Sequence, residues 1–102
     1  MRKREMSYRE YGFEPEEERK LKEYCRSVDF NDNDMLLQAA VSSNPVIAAD
    51  LYYSLVRGLS FDRLNDIRYI PIPKVDFYGY QRNCLAIFRN LLIMCGKWRQ
   101  KE

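Results

Sequence analysis

Hydrophobic residues along this chain recur at three- and four-residue intervals in five blocks, and helix-ending signals separate the blocks. The clearest block is the last. At about 100° per residue, Phe77, Tyr80, Cys84, Leu85, Ile87, Phe88, Leu91, Leu92 and Cys95 fill one broad arc, with Gln81 as its polar intruder. The opposite arc holds Tyr78, Gly79, Arg82, Asn83, Ala86, Arg89 and Asn90, with Ile93 and Met94 near its end. This one-sided pattern predicts a helix over 75–95, stopped by Gly96.

The earlier blocks are read the same way. Pro15 suits the first position of a helix over 15–28, because its missing N–H would have no partner there. Glu16, Glu17 and Glu18 complement the positive end of the helix dipole. Glu16–Lys20 and Glu18–Lys22 add surface pairs four residues apart, and Leu21, Tyr24, Cys25 and Val28 form the inward stripe. The run Asp29–Asp34 resembles a calcium loop only superficially. With Asp29 as first ligand, Asp34 stands where glycine is needed and Ala40 where a bidentate glutamate is needed. A helix cap is the better account, with Asn33 or Asp32 capping Met35–Val41 within a helix over 33–43. Asn44 and Pro45 then open a helix over 45–57. That helix is apolar on nearly every side, which predicts the central element of the core, and Gly58 ends it. Ser60 caps a short helix over 60–67 with Leu64 and Ile67 directed inward. The prolines at 71 and 73 hold Tyr69–Pro73 extended within the corner Tyr69–Val75. The expected fold is therefore all-α, a compact bundle of about five helices in a single domain over 14–102. Residues 1–13 form an N-terminal arm, expected to be flexible or loosely docked, and Met6 is an alternative natural start.

Composition narrows the function more than it identifies it. An apolar fraction of 46% with 14% aromatics in 102 residues suits one domain with a modest core. No apolar run reaches membrane-spanning length, and the basic start Met1–Arg4 leads into charged residues, unlike a signal peptide. A cytoplasmic protein without membrane contact is expected. Histidine is absent, which removes the usual general base, the commonest zinc ligand and every imidazole-based triad. Cys25, Cys84 and Cys95 are too few for a zinc site without histidine, and all three fall on apolar stripes as small buried hydrophobes. No cofactor, metal site, small-molecule substrate or catalytic residue is expected. Residues 1–56 carry 8 basic and 11 acidic side chains, and residues 57–102 carry 9 and 4. The basic second half hints at an anionic partner.

The outer arc of the last helix is where function is expected to lie. A solvated face usually carries many Glu and Lys, and this arc has neither. Arginine can grip guanine bidentately, asparagine can do the same for adenine, and Gly79 and Ala86 would allow close approach to a groove. The segments Leu55–Asp66 (LVRGLSFDRLND) and Asp76–Leu92 (DFYGYQRNCLAIFRNLL) resemble the paired helices of small phage-encoded regulators. These belong to the group related to DNA-binding region four of bacterial sigma factors. Tyr11–Glu14 through Tyr24–Arg26 is similar to the beginnings of prophage proteins from Gram-positive bacteria. The resemblance implies a helix-turn-helix in which Tyr78, Arg82, Asn83 and Ala86 face bases and Lys74 contacts phosphate. The corner departs from that pattern: seven residues with two prolines replace a turn of three or four.

Two functions follow. The leading expectation is a mobile-element regulator that docks its last helix on double-stranded DNA, with phosphate contacts from Lys74, Arg89, Lys97, Arg99 and the arm Arg2-Lys3-Arg4. The alternative is a phage-encoded protein-binding module or inhibitor that occludes a host protein such as a defence nuclease, with Tyr69, Tyr78 and Trp98 as anchors. A homodimer would suit a palindromic operator, although no heptad seam specifies one.

Overall fold

A computed structural model of the chain describes residues 15–98. They form five α-helices in the order α1 (Pro15–Arg26), α2 (Phe30–Ser43), α3 (Ala48–Arg57), α4 (Phe61–Ile67) and α5 (Lys74–Met94). The all-α bundle expected from the periodicity is the fold observed. The arm over residues 1–13 and Arg99 lie outside the described residues.

The helix ends follow local chemistry. In α1 the surface pairs form, with Lys20 Nζ 3.7 Å from Glu16 Oε1 and Lys22 Nζ 3.8 Å from Glu18 Oε1, while Leu21 and Cys25 are fully buried. The helix stops at Arg26, two residues short of the expected 28. There the N–H groups of Ser27 and Val28 turn back to the carbonyls of Tyr24 and Cys25. Ser60 caps α4 as expected, its Oγ accepting from the Arg63 N–H at 3.2 Å. Gly58 ends α3 at φ 68, the left-handed conformation that glycine adopts without strain. Gly96 does the same after α5 at φ 73. Its N–H reaches the Ile93 carbonyl and that of Lys97 reaches Leu92, the paired bonds of a Schellman ending.

Five expectations need correction. The cap of α2 is Asp29, whose Oδ1 accepts from the Asp32 N–H at 2.9 Å, so the helix begins at Phe30 rather than 33. Asp32 is instead 1% exposed, and Asn33 accepts a hydrogen bond from the Tyr52 hydroxyl on α3. Helix α3 begins at Ala48, not Pro45, because the Asn44 side chain closes a turn onto the Val46 N–H at 3.0 Å. Nor is α3 enclosed on nearly every side: it meets all four other helices and Ile47, Ala48, Leu51 and Leu55 are buried, but Tyr53 is 46% exposed. Ile67 stands 72% exposed, since it ends a seven-residue helix whose inward side is held by Phe61 and Leu64. Cys95 is also exposed, beside Met35 at 3.7 Å, whereas Cys25 and Cys84 are buried. Burial pushes the Cys25 thiol up to about 12 and raises that of Cys84 as well.

The centre of the bundle is α5. It packs most extensively on α2 and also meets α1, α3 and α4. Phe77, Cys84, Leu85, Phe88 and Leu92 are wholly inaccessible and meet Leu21, Leu36, Ile47 and Leu51 in one core. Each such side chain contributes about 1.5–3 kcal/mol by leaving water. Gln81, the polar intruder, is 4% exposed. Its Nε2 donates to Ser54 Oγ at 2.9 Å, and Ser54 donates on to the Leu59 carbonyl at 2.6 Å. The corner between α4 and α5 is pinned rather than loose. Ile70 is buried with its N–H on Asn65 Oδ1 at 2.9 Å, and Arg68 pairs with the buried Asp50 at 3.1 Å.

Candidate functional site

The outward arc predicted for the last helix is not an outward face. No position from Asp76 to Arg89 is exposed. Gly79, Ala86 and Arg89 are buried, and Tyr78, Arg82 and Asn83 are half-buried. The reason is that α5 has neighbours on several sides, whereas a helical-wheel reading assumes only one. Lys74 and Lys97 remain exposed, at opposite ends of a helix of 21 residues, about 30 Å long at 1.5 Å per residue. The predicted contacts therefore do not converge on one surface.

Most of the donors proposed for recognition are used inside the fold. Tyr78 Oη accepts from the Phe61 N–H at 3.0 Å, satisfying one of the free donors at the start of α4. Asn83 Nδ2 donates to Ser43 Oγ at 3.2 Å, and Ser43 donates to the Tyr80 carbonyl at 2.7 Å, which locks the end of α2 against α5. Arg89 faces Glu17 of α1 at 3.5 Å and holds Asn90 Oδ1 at 3.1 Å. Glu17 also accepts from Trp98 Nε1 at 2.9 Å, so Trp98 closes the bundle instead of standing free as an anchor. Lys74 pairs with Asp62 at 2.9 Å, which raises its pKa.

Lys97 belongs to the most concentrated electrostatic feature. Its Nζ lies 2.5 Å from Asp32 Oδ1, and the Tyr24 hydroxyl donates to the other oxygen. The bonds from Lys97 and then Tyr24 hold the Asp32 carboxyl below its ordinary 3.8. Burial first, and the Asp32 bond second, push Tyr24 up to about 12. This triad ties α1, α2 and the chain beyond α5 together. Its ingredients come from positions 24, 32 and 97, so local pattern gave no signal of it.

A second face was missed, and its signal was present. Phe30, Leu37 and Val41 are 92%, 37% and 51% exposed. Spaced by seven and four residues, they align along the side of α2 opposite the buried Leu36, Ala39, Ala40 and Ser43. Asn31, Asp34, Gln38 and Ser42 are also exposed on this face, so it carries one charge and three large apolar groups. Starting α2 at 33 left Phe30 outside the helix and hid the stripe.

Among the described residues no helix is long and apolar enough to cross a membrane. None of their His, Cys, Asp and Glu side chains cluster in a way that could hold a metal ion. Comparison with models of known protein families, with curated proteins and with solved structures finds no match to this chain.

Proposed function

We propose that this protein is a non-catalytic binding module whose partner is another protein, engaged through the outer face of α2. The observation that carries the reading is the exposed stripe of Phe30, Leu37 and Val41. Large apolar groups aligned on a helix and rimmed by polar residues, here with Asp34 the one charge among those named, mark interaction surfaces. Anchors recurring at helical spacing are the signature of a helix that lies in a partner's groove. The partner is accordingly a protein with an apolar groove about three helical turns long. Duplex DNA binding by α5, the leading expectation from sequence, loses its support because the face it requires is covered and its donors are distributed among α1, α2 and α4.

The test compares three proteins as bait in lysate of the source cell: wild type, Phe30→Ser/Leu37→Asp, and Tyr69→Ser at the exposed α4–α5 corner. A single stoichiometric protein retained by wild type and Tyr69→Ser, and released by the α2 double variant, is the expected result. Retention unaffected by the α2 changes would refute the reading. So would a gel shift of random-sequence duplex that weakens steeply with salt, with no protein captured.

A further inference from the structure

Away from α2, a cavity of about 170 Å³ opens between α1 and the turn joining α3 to α4. Lys22, Arg26, Gly58, Ser60, Tyr78 and Gln81 line it, and among the described residues no carboxylate does. Its back wall is fixed, since Gln81 is buried and bonded to Ser54. The front is made of donors. Arg26 lies flat against Gly58: a Cβ built there would sit 3.1 Å from each of Arg26 Cζ, Nε and Nη2. The left-handed φ of 68 at that glycine and the close approach of the guanidinium both require the absent side chain. Arg26 makes no ion pair or hydrogen bond with another described residue, so its fork lies over Gly58 with its N–H groups uncommitted to any described residue. Lys22 is only loosely paired, 3.8 Å from Glu18. Tyr78 accepts from Phe61 and Ser60 from Arg63, and neither hydroxyl donates its own hydrogen to a described group.

We propose that this cavity binds a phosphate group. A planar fork, a point charge and two hydroxyls, drawn from α1, the α3–α4 turn and α5, offer donors to more oxygens than a carboxylate presents. The cavity has room for several times the roughly 30 Å³ share of a liquid water. Arginine forks are suited to bidentate contact with phosphate, and lysine serves as the accompanying charge. The site takes either free phosphate or the phosphate of a small metabolite, and it is independent of the α2 face.

Nuclear magnetic resonance titrations of isotope-labelled full-length protein test this, with inorganic phosphate, a nucleoside monophosphate and acetate as probes. The expected result is a saturable shift of the Gly58, Leu59 and Ser60 amides and of Arg26 Nε with one or both phosphate compounds, and little response to acetate. Saturation by inorganic phosphate assigns the free ion. Saturation by the monophosphate alone assigns the metabolite. Arg26→Gln and Lys22→Gln, both at solvent-accessible positions and each checked for an unchanged unfolding midpoint, should weaken binding roughly tenfold. Arg26→Lys should recover only part of the loss. Shifts scattered over the lysine and arginine surface without saturation, an equal response to acetate, or affinity unchanged in Arg26→Gln would each overturn the proposal.

Discussion

The predicted outer arc of α5 and the outer face of α2 have similar compositions and opposite fates. Neither carries a lysine or a glutamate. On α5 the small and hydrogen-bonding residues from Tyr78 to Arg89 are buried or half-buried, and Tyr78, Asn83 and Arg89 bond to α4, α2 and α1. On α2 the apolar residues Phe30, Leu37 and Val41 stand free. A helix face poor in long charged side chains is covered by the protein's own chain on α5, and on α2 it is left for the partner proposed above. Composition does not say whether the cover is the protein's own chain or another's. The difference lies in residue type: donors and small residues fit the crowded, bonded interior of a helix bundle, and large apolar groups on an open face suit a partner.

The comparison is most strongly tested at Arg89. It is 5% exposed and pairs with Glu17, which itself is only 15% exposed at its side chain. Arg89→Ala leaves that carboxylate without the guanidinium and removes the packed stem, at a cost on the order of 3 kcal/mol. Urea unfolding measures this, and a loss of that size is a large part of a small domain's stability, about 5–15 kcal/mol in total. A neutral result would mean that the α5 arc is a surface after all.

Next in size is Asp32, a carboxylate buried behind the α2 face. Asp32→Ala deprives both Tyr24 and Lys97 of their acceptor and should cost about 2–3 kcal/mol. Because its carboxyl in the folded protein titrates below 3.8, its contribution is complete above that value. It is lost as pH falls through the folded pKa, where the unfolded chain takes up the proton first. On the alkaline side Tyr24, raised from 10.0 to about 12, holds its proton longer when folded. That contribution is complete below 10.0 and is lost as pH rises toward 12. Wild-type unfolding midpoints should fall at both extremes, and Asp32→Ala should flatten the acid limb.

The two helices also differ in what their sequences reveal. Terminating signals that act within a few residues were legible: Pro15 opening α1, Ser60 capping α4, and Gly58 and Gly96 ending α3 and α5. The all-α class followed from periodicity. The cap of α2 was not legible, because Asp29, Asn31, Asp32 and Asn33 all have capping chemistry. The choice depends on Lys97, 65 positions further along, drawing Asp32 into the bundle. Which helix is central was hidden for a related reason. The apolar run of α3 suggested enclosure, and α3 does touch the other four helices, but α5, at 21 residues against ten, also does so and packs over a longer face, most of it against α2. Ile67 and Cys95 sit on apolar stripes yet are exposed, since each lies at the end of its stripe.

The smallest expected effect is the sharpest. Phe30→Ser alters a side chain that is 92% exposed and should change stability by no more than about 0.5 kcal/mol, and Leu37→Asp, at a side chain 37% exposed, by about 1 kcal/mol. Phe30 is at the first position of α2, where serine is a tolerable replacement and the Asp29 cap is left in place. A protein that keeps its unfolding midpoint while losing a partner has lost a surface and nothing else. If these changes instead destabilised the fold by as much as Arg89→Ala, the stripe would be serving its own chain, and the two faces would be alike. Losses well below that of Arg89→Ala, measured alongside the capture experiment, separate a face made for a partner from one that holds the bundle together.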